Sequence, residues 1–269
     1  MIPGPALLFC PADRPDRYAK ALAAADTVIL DLEDGVGADA KDTARAALAE
    51  SALDPARVIV RVNATGTPEH AADLAALRGT RYRMIMLPKA EDVAQLDVLG
   101  DWRVVALAET PLGVVNAPRL AAAPNVIALM WGAEDLIAAL GGRTSRLPDG
   151  RYRQVALHTR SAVLLAAAAH GRPAIDAVYI DIPDLDGLAA EAEDAAASGF
   201  ALKACIHPSQ VPVVRAAFRA DEAQVAWARR VLAAARDAST GDKGAVKVDG
   251  QMIDAPLIRQ AEAILASMR

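Results

Sequence analysis

The chain has 269 residues, a length that suits one α/β barrel. Hydrophobic residues make up 54% and charged residues 23%, which excludes a disordered chain, and a net charge of -5 without a basic run argues against nucleic acid as a partner. The start, Met1-Ile2-Pro3-Gly4-Pro5, lacks a positive region followed by an apolar one, and apolar stretches elsewhere are broken by charge, so a cytoplasmic protein with no membrane partner is expected.

In chain order, short apolar and β-branched runs predict strands over Ala6 to Pro11, Thr27 to Glu33, Arg57 to Asn63, Arg83 to Lys89, Arg103 to Glu109, Asn125 to Gly132, Ala177 to Ile182 and Ala201 to His207. Ala- and Leu-rich segments between them, such as Arg17 to Ala25, Ala40 to Ser51, Val155 to His170 and Leu188 to Ser198, suit crossover helices. Eight repeats of this alternation predict an α/β fold of the (β/α)₈ TIM-barrel type with a C-terminal helical extension. A doubly wound open sheet is the competing architecture, but polar residues gather at the end of nearly every strand, as a barrel rim requires. Asp181, Asp184, Lys203 and His207 are counted among those rim residues. A helix over Asp221 to Asp237 follows, with Val225, Ala228, Leu232 and Ala235 on its packing face. The Gly-rich break Ser239 to Gly244 then divides a barrel domain, 1–238, from an extension, 239–269. Cys10 and Cys205 have no partners at metal spacing and are expected to be buried as small apolar residues.

Glu109 and Asp135 form the leading pair of candidates. They follow strands five and six, neighbours in a barrel, and two carboxylates with open positions suit Mg²⁺. The alternative is that either acid caps a helix or forms an ordinary ion pair. Arg61 and Lys89 place cations at strand ends, where a carboxylate-bearing substrate or a developing oxyanion is a natural partner. Pairing with Asp31 and Glu33 is the plainer reading, and the two are compatible. Gly35-Val36-Gly37-Ala38-Asp39-Ala40 fits a loose dinucleotide fingerprint, but Asp31, Glu33 and Asp34 would repel a pyrophosphate there, so these glycines are expected only to shape a turn.

Several motifs in one order carry a family resemblance. Leu30-Asp31-Leu32-Glu33-Asp34-Gly35-Val36, Lys41 with Ala44-Arg45, Arg61-Val62-Asn63, Leu87-Pro88-Lys89, Glu109-Thr110, Gly132-Ala133-Glu134-Asp135-Leu136, Ile206-His207-Pro208-Ser209-Gln210 and Asp249-Gly250-Gln251-Met252-Ile253-Asp254 resemble the HpcH/HpaI aldolase superfamily. Within it, they are similar to the branch of the citrate lyase β-subunit and malyl- or citramalyl-CoA lyases. The resemblance implies a homotrimeric barrel that binds Mg²⁺ and cleaves a 3-hydroxyacyl-CoA into an acyl-CoA and a small oxo acid, an oxo-acid lyase reaction. Glu109 and Asp135 would then be metal ligands, Arg61 would steady the thioester enolate, and Asp254 would be an acid/base presented by a neighbouring subunit on which the extension packs. Asp31 and Glu33 would belong to the surrounding hydrogen-bond shell, and Arg14 and Lys20 would contact CoA phosphates. Ala12 and Leu202-Lys203 depart from the family's usual glycines near the thioester loops. Two alternatives keep the fold: a citrate lyase β-subunit acting on the citryl thioester of an acyl-carrier subunit, and a non-catalytic thioester-binding protein.

Overall fold

In the computed structural model, which describes residues 1–239 and 246–266, eight parallel strands close into a barrel. They are β1 (Ala6–Pro11), β2 (Thr27–Asp31), β3 (Val58–Arg61), β4 (Met84–Leu87), β5 (Arg103–Ala108), β6 (Val126–Trp131), β7 (Ala174–Asp176) and β8 (Leu202–Cys205). Closure comes from β1 pairing with β8, with Leu7 opposite Ala204, so no edge is left exposed. The expected (β/α)₈ barrel is therefore the fold.

Side-chain alternation along each strand separates two faces. Leu7, Ile29, Ile59, Met84, Met86, Val105, Leu107, Ala128, Met130, Ile175, Leu202 and Ala204 fill the interior as one buried cluster. Each such aliphatic side chain contributes about 2 kcal/mol by leaving water. Asp31, Arg61 and Glu109 fall in phase with this set, two residues beyond Ile29, Ile59 and Leu107. They therefore face the barrel axis at its C-terminal mouth.

One strand differs from the sequence reading. The seventh is Ala174–Asp176, and the run predicted there, Ala177 to Ile182, is a loop. Val178 packs against the core and Tyr179 is buried, whereas Ile180 is 49% exposed. The β-branched run is more apolar than the true strand, but pairing to β6 and β8 is made by Ile175. Asp181 is accordingly an exposed loop residue, and Asp184 caps the helix Leu185–Ser198 by accepting from the Gly187 N–H at 2.9 Å.

Lys203 is also not a rim residue. It is out of phase with Leu202 and Ala204, fully buried, and its ammonium donates to Asp176 at 2.8 Å and Glu191 at 3.0 Å. Asp176 further accepts from Arg160 at 3.0 Å and from the Trp131 indole at 2.8 Å. Burial alone would raise the Asp176 carboxyl, but Lys203 and Arg160 overcome it and hold the group below the ordinary carboxylate range. This cluster ties strands to the helices Gln154–Ala169 and Leu185–Ser198. The two thiols are buried as expected, and burial raises Cys10 to about 11 and Cys205 to about 12.

Contacts divide the chain into units Met1–Arg215 and Ala216–Arg269, so the helix Glu222–Ser239 belongs with the tail rather than with the 1–238 domain drawn from sequence. The Gly-rich break beyond Ser239 lies outside the described residues. In the second unit, Ala228, Val231, Ile253 and Ala261 form a small core between the helices Glu222–Ser239 and Ala255–Ala266. A hairpin, β9 (Val246–Val248) and β10 (Gln251–Ile253), turns at Asp249-Gly250, both at positive φ as a tight two-residue turn requires. Among the described residues no helix is long and apolar enough to cross a membrane.

Candidate active site

The barrel mouth gathers six of the residues singled out from sequence. Arg61 ends β3 and grips Asp31, at the end of β2, through two parallel bonds, Nε to Oδ1 at 2.7 Å and Nη2 to Oδ2 at 2.6 Å. Its Nη1 lies 3.0 Å from Glu33 Oε2. Two of the five guanidinium donors are thus bonded to Asp31, while Glu33 Oε2 is an ion-pair partner that accepts no hydrogen bond. The Phe9 ring lies beneath, 5.0 Å from the guanidinium carbon. Burial pulls the Arg61 pKa down, but Asp31, Glu33 and Glu109 more than reverse that, so the group keeps its charge.

Asp31 is itself held from behind. Its oxygens accept from the N–H groups of Glu33 and Gly35, each at 2.9 Å. A Cβ at position 35 would stand 2.4 Å from Asp31 Oδ2, so this glycine is needed for close approach to the acid and serves the turn expected of it.

Lys89 follows β4 with φ 50°, a left-handed conformation uncommon for a residue with a side chain. The conformation has a visible use. The Lys89 N–H donates to Glu109 Oε1 at 3.0 Å while its ammonium donates to Glu33 Oε1 at 2.6 Å and lies 3.6 Å from Asp135 Oδ1. Burial raises the Glu33 carboxyl above its ordinary value despite Arg61 and Lys89.

Glu109 follows β5 and is 2% exposed. Because Ala108 pairs with Trp131, Glu109 meets Gly132, where a Cβ would lie 2.8 Å from Glu109 Oε2. Asp135 lies three residues on, in the first turn of the helix Ala133–Ala139. Burial, with Asp135 and Glu33 as like charges, pushes the Glu109 carboxyl up to about 8. Glu109, Asp135, Arg61, Phe9, Met130 and Val178 line a cleft of about 80 Å³ whose walls are mostly apolar. The carboxylate pair is thus brought together, although no group of three or more His, Cys, Asp or Glu placed to hold an ion occurs among the described residues.

Other expected residues have these surroundings. Arg14 is on the loop after β1, its side chain 44% exposed and bound to Asp16 at 3.1 Å. Lys20 is exposed on the helix Pro15–Ala24, and His207 is an exposed loop residue whose Nδ1 meets the Ser209 hydroxyl at 2.7 Å. Asp254, in the second unit, follows β10 and accepts from the Leu257 N–H at 3.3 Å at the start of its helix. Sequence reasoning counted Asn63 only among the polar residues at strand ends and gave no role to Lys41 or Asp73; the three are buried together behind Glu33 and Arg61. Lys41 and Asn63 stand in the motifs that carry the resemblance, whereas Asp73, inside the helix Pro68–Arg78, gave no signal.

A model of the HpcH/HpaI aldolase/citrate lyase family matches residues 6–208, a span that includes all six residues of the barrel mouth. The chain belongs to this family. Among family members, the citrate lyase subunit beta-like protein of Mycobacterium tuberculosis is 57% identical over 262 residues, covering 97% of this chain and 94% of its own length. The (3S)-malyl-CoA thioesterase of Cereibacter sphaeroides is 37% identical over 270 residues, covering 97% and 93%. The crystal structure of CitE from M. tuberculosis in complex with magnesium, acetoacetate and coenzyme A matches with a TM-score of 0.94 at 56% identity over 98% of both chains. The M. tuberculosis citrate lyase beta subunit complexed with oxaloacetate and magnesium matches with a TM-score of 0.80 at 59% identity, over 81% of this chain and 98% of that one.

Proposed function

We propose that this protein is a Mg²⁺-dependent carbon–carbon lyase that cleaves a 3-hydroxyacyl thioester of CoA into an acyl-CoA and a small oxo acid, reversibly. The observation that carries the reading is the opposition, across one apolar cleft, of a doubly anchored arginine and a carboxylate pair made of the buried Glu109 and the half-exposed Asp135. Relatives solved with magnesium, coenzyme A and oxo acids support it.

The residues fit Mg²⁺. Glu109 and Asp135 offer only oxygen, and burial together with the like charge of Asp135, which push the Glu109 carboxyl up, would be offset by a bound cation. When bound, Mg²⁺ supplies Lewis-acid polarisation of substrate oxygens. Everything else is the work of the chain. Arg61, kept rigid by Asp31, directs its free N–H groups to the thioester oxygen. As the C2–C3 bond breaks, its electron pair passes into the thioester enolate, and the 3-hydroxyl gives its proton to solvent water at the open cleft mouth and becomes the carbonyl of the oxo acid. Arg61 meets the charge where it develops, and a preorganised donor of this kind is worth about 3 kcal/mol. Lys89 holds Glu33 and Asp135 in line and presents positive charge to the oxo acid's carboxylate. Asp254 then protonates the enolate carbon, supplied by a neighbouring subunit of a homotrimer on which the extension packs. Arg14 and Lys20 contact the CoA phosphates.

One other reading has an observation behind it. The resemblance to a (3S)-malyl-CoA thioesterase favours hydrolysis of the thioester without C–C cleavage. Malyl-, citramalyl- and 3-hydroxy-3-methylglutaryl-CoA incubated with enzyme and Mg²⁺, with products read by mass spectrometry, test both. Acyl-CoA plus oxo acid is the expected outcome. Free CoA plus intact hydroxy acid would replace lyase by thioesterase, and no turnover of any thioester would overturn the proposal.

A further inference from the structure

Behind the cleft lies a second polar layer that touches none of the space a substrate would fill. Lys41 begins the helix Lys41–Glu50, yet its side chain turns inward and is 9% exposed. Its ammonium directs all three N–H donors at neutral oxygens: the Leu32 carbonyl at 2.6 Å, the Glu33 carbonyl at 2.7 Å and Asn63 Oδ1 at 2.8 Å. Asn63 in turn donates through Nδ2 to the Leu32 carbonyl at 2.9 Å and to Asp73 Oδ2 at 2.7 Å, while its own N–H reaches the same Asp73 oxygen at 2.8 Å. Asp73 is fully buried and is held at Oδ1 by Arg45 at 2.8 Å.

The location gives this layer its meaning. Beyond Asp31 the ladder ends with the Leu32 N–H, which donates to the Arg61 carbonyl at 2.8 Å, and the Leu32 and Glu33 carbonyls accept from no strand. Lys41 joins the two carbonyls to each other, with the Val36 N–H at 3.1 Å as a second donor to Glu33 and Asn63 as a second donor to Leu32, and the side chain of Glu33 stands between the two cations of the cleft, 3.0 Å from Arg61 and 2.6 Å from Lys89. An ammonium is costly to bury, and the protein keeps this one where a neutral donor would satisfy fewer of the oxygens.

We propose that Lys41 is a positioning residue: through the Leu32 and Glu33 carbonyls and Asn63 it fixes the Glu33 carboxylate, and thereby aligns Arg61 and Lys89 for the reaction. This rests on the lyase reading for its kinetic consequences. Lys41 touches no substrate, so it acts on kcat rather than on binding. Outer-layer partners of this kind are typically worth about 10- to 100-fold in activity.

The test is a double-mutant cycle on the full-length protein with Lys41→Met, Glu33→Gln and the pair, measured with whichever thioester of the panel the wild type turns over. Lys41→Met is expected to lower kcat about 10- to 100-fold with KM changed less than about threefold. In the Glu33→Gln background it should cost little more, because both changes undo the same alignment. Lys41→Arg, which keeps charge and donors, should recover most of the loss. Wild-type kcat in Lys41→Met, or the same fold-loss in both backgrounds, would overturn the proposal. Circular dichroism checks the fold, and Lys41→Gln, which keeps one donor, replaces Lys41→Met in the cycle if that variant is unfolded. If the wild type turns over no thioester, the lyase reading fails by itself and the crystal structure of the Lys41 variant decides: Glu33 displaced from Arg61 and Lys89 supports the positioning role, and Glu33 unmoved refutes it.

Discussion

Replacing Glu109 by Gln isolates the electrostatic tension at the centre of the site. In the unfolded chain this carboxyl ionises near 4.5, whereas in the folded, metal-free protein burial and the neighbouring Asp135 and Glu33 push it up to about 8. Between those values the folded state holds a proton that the unfolded state has released, so stability falls as pH rises and the loss is complete above about 8. At about 1.4 kcal/mol per pH unit, the full interval amounts to about 5 kcal/mol, of which about 3 kcal/mol falls between roughly pH 5.5 and 8.5. The substituted amide does not ionise and keeps an oxygen for the Lys89 N–H, so the variant lacks this contribution. Urea unfolding of both proteins in EDTA across that range should show wild type losing stability relative to Glu109→Gln as pH rises. Excess Mg²⁺ at pH 8.5 should restore wild type and leave the variant nearly unmoved, because a cation between the carboxylates removes the penalty. Parallel pH curves for the two proteins, or equal stabilisation by Mg²⁺, would refute the reasoning and with it the assignment of Glu109 as a ligand.

Four further outcomes are expected. Arg61→Lys should lower kcat/KM about 10²- to 10³-fold in steady-state assays, because an ammonium cannot grip Asp31 at two points and still face the substrate. Gly35→Ala should lower activity about tenfold or more in the same assay, since its Cβ would stand 2.4 Å from Asp31 Oδ2 and must displace the acid that anchors Arg61. Lys203→Met should destabilise the fold by about 3 to 5 kcal/mol in denaturant titrations by stranding part of the buried Asp176 charge, while kcat per folded protein stays within about threefold. Mixing Asp254→Ala with Arg61→Ala subunits should regenerate activity that neither homo-oligomer has, if the acid crosses an interface; inactive mixed oligomers shown by native mass spectrometry to have formed would exclude that.

The barrel was legible in the sequence because most strands are short apolar runs with a polar residue at or just beyond the end, and that pattern needs no tertiary information. The carboxylate pair was legible for a related reason: strands five and six are consecutive, and in a parallel barrel consecutive strands are neighbours. Strand seven was not. Val178-Tyr179-Ile180 has the stronger local preference for a strand, and only the pairing of Ile175 with Met130 and Leu202 assigns the strand to Ala174–Asp176 instead.

What the amino-acid order determined by itself was therefore the alternation of elements and the kind of charge at each strand end, both of which are local. Which face each charge takes was decided only by tertiary structure, because a one-residue change of phase sends a strand residue from the barrel axis to the helix layer. Glu109 and Lys203 both look like rim residues in one dimension. Closure of the barrel turns the first into the cleft, with its carboxyl pushed up by the charges it meets there, and the second outward into a buried ion cluster with Asp176. Lys41 stood in a motif of the sequence, but its partners became visible only once the ends of β2 and β3 lay side by side, since two carbonyls and an asparagine from separate segments make its site.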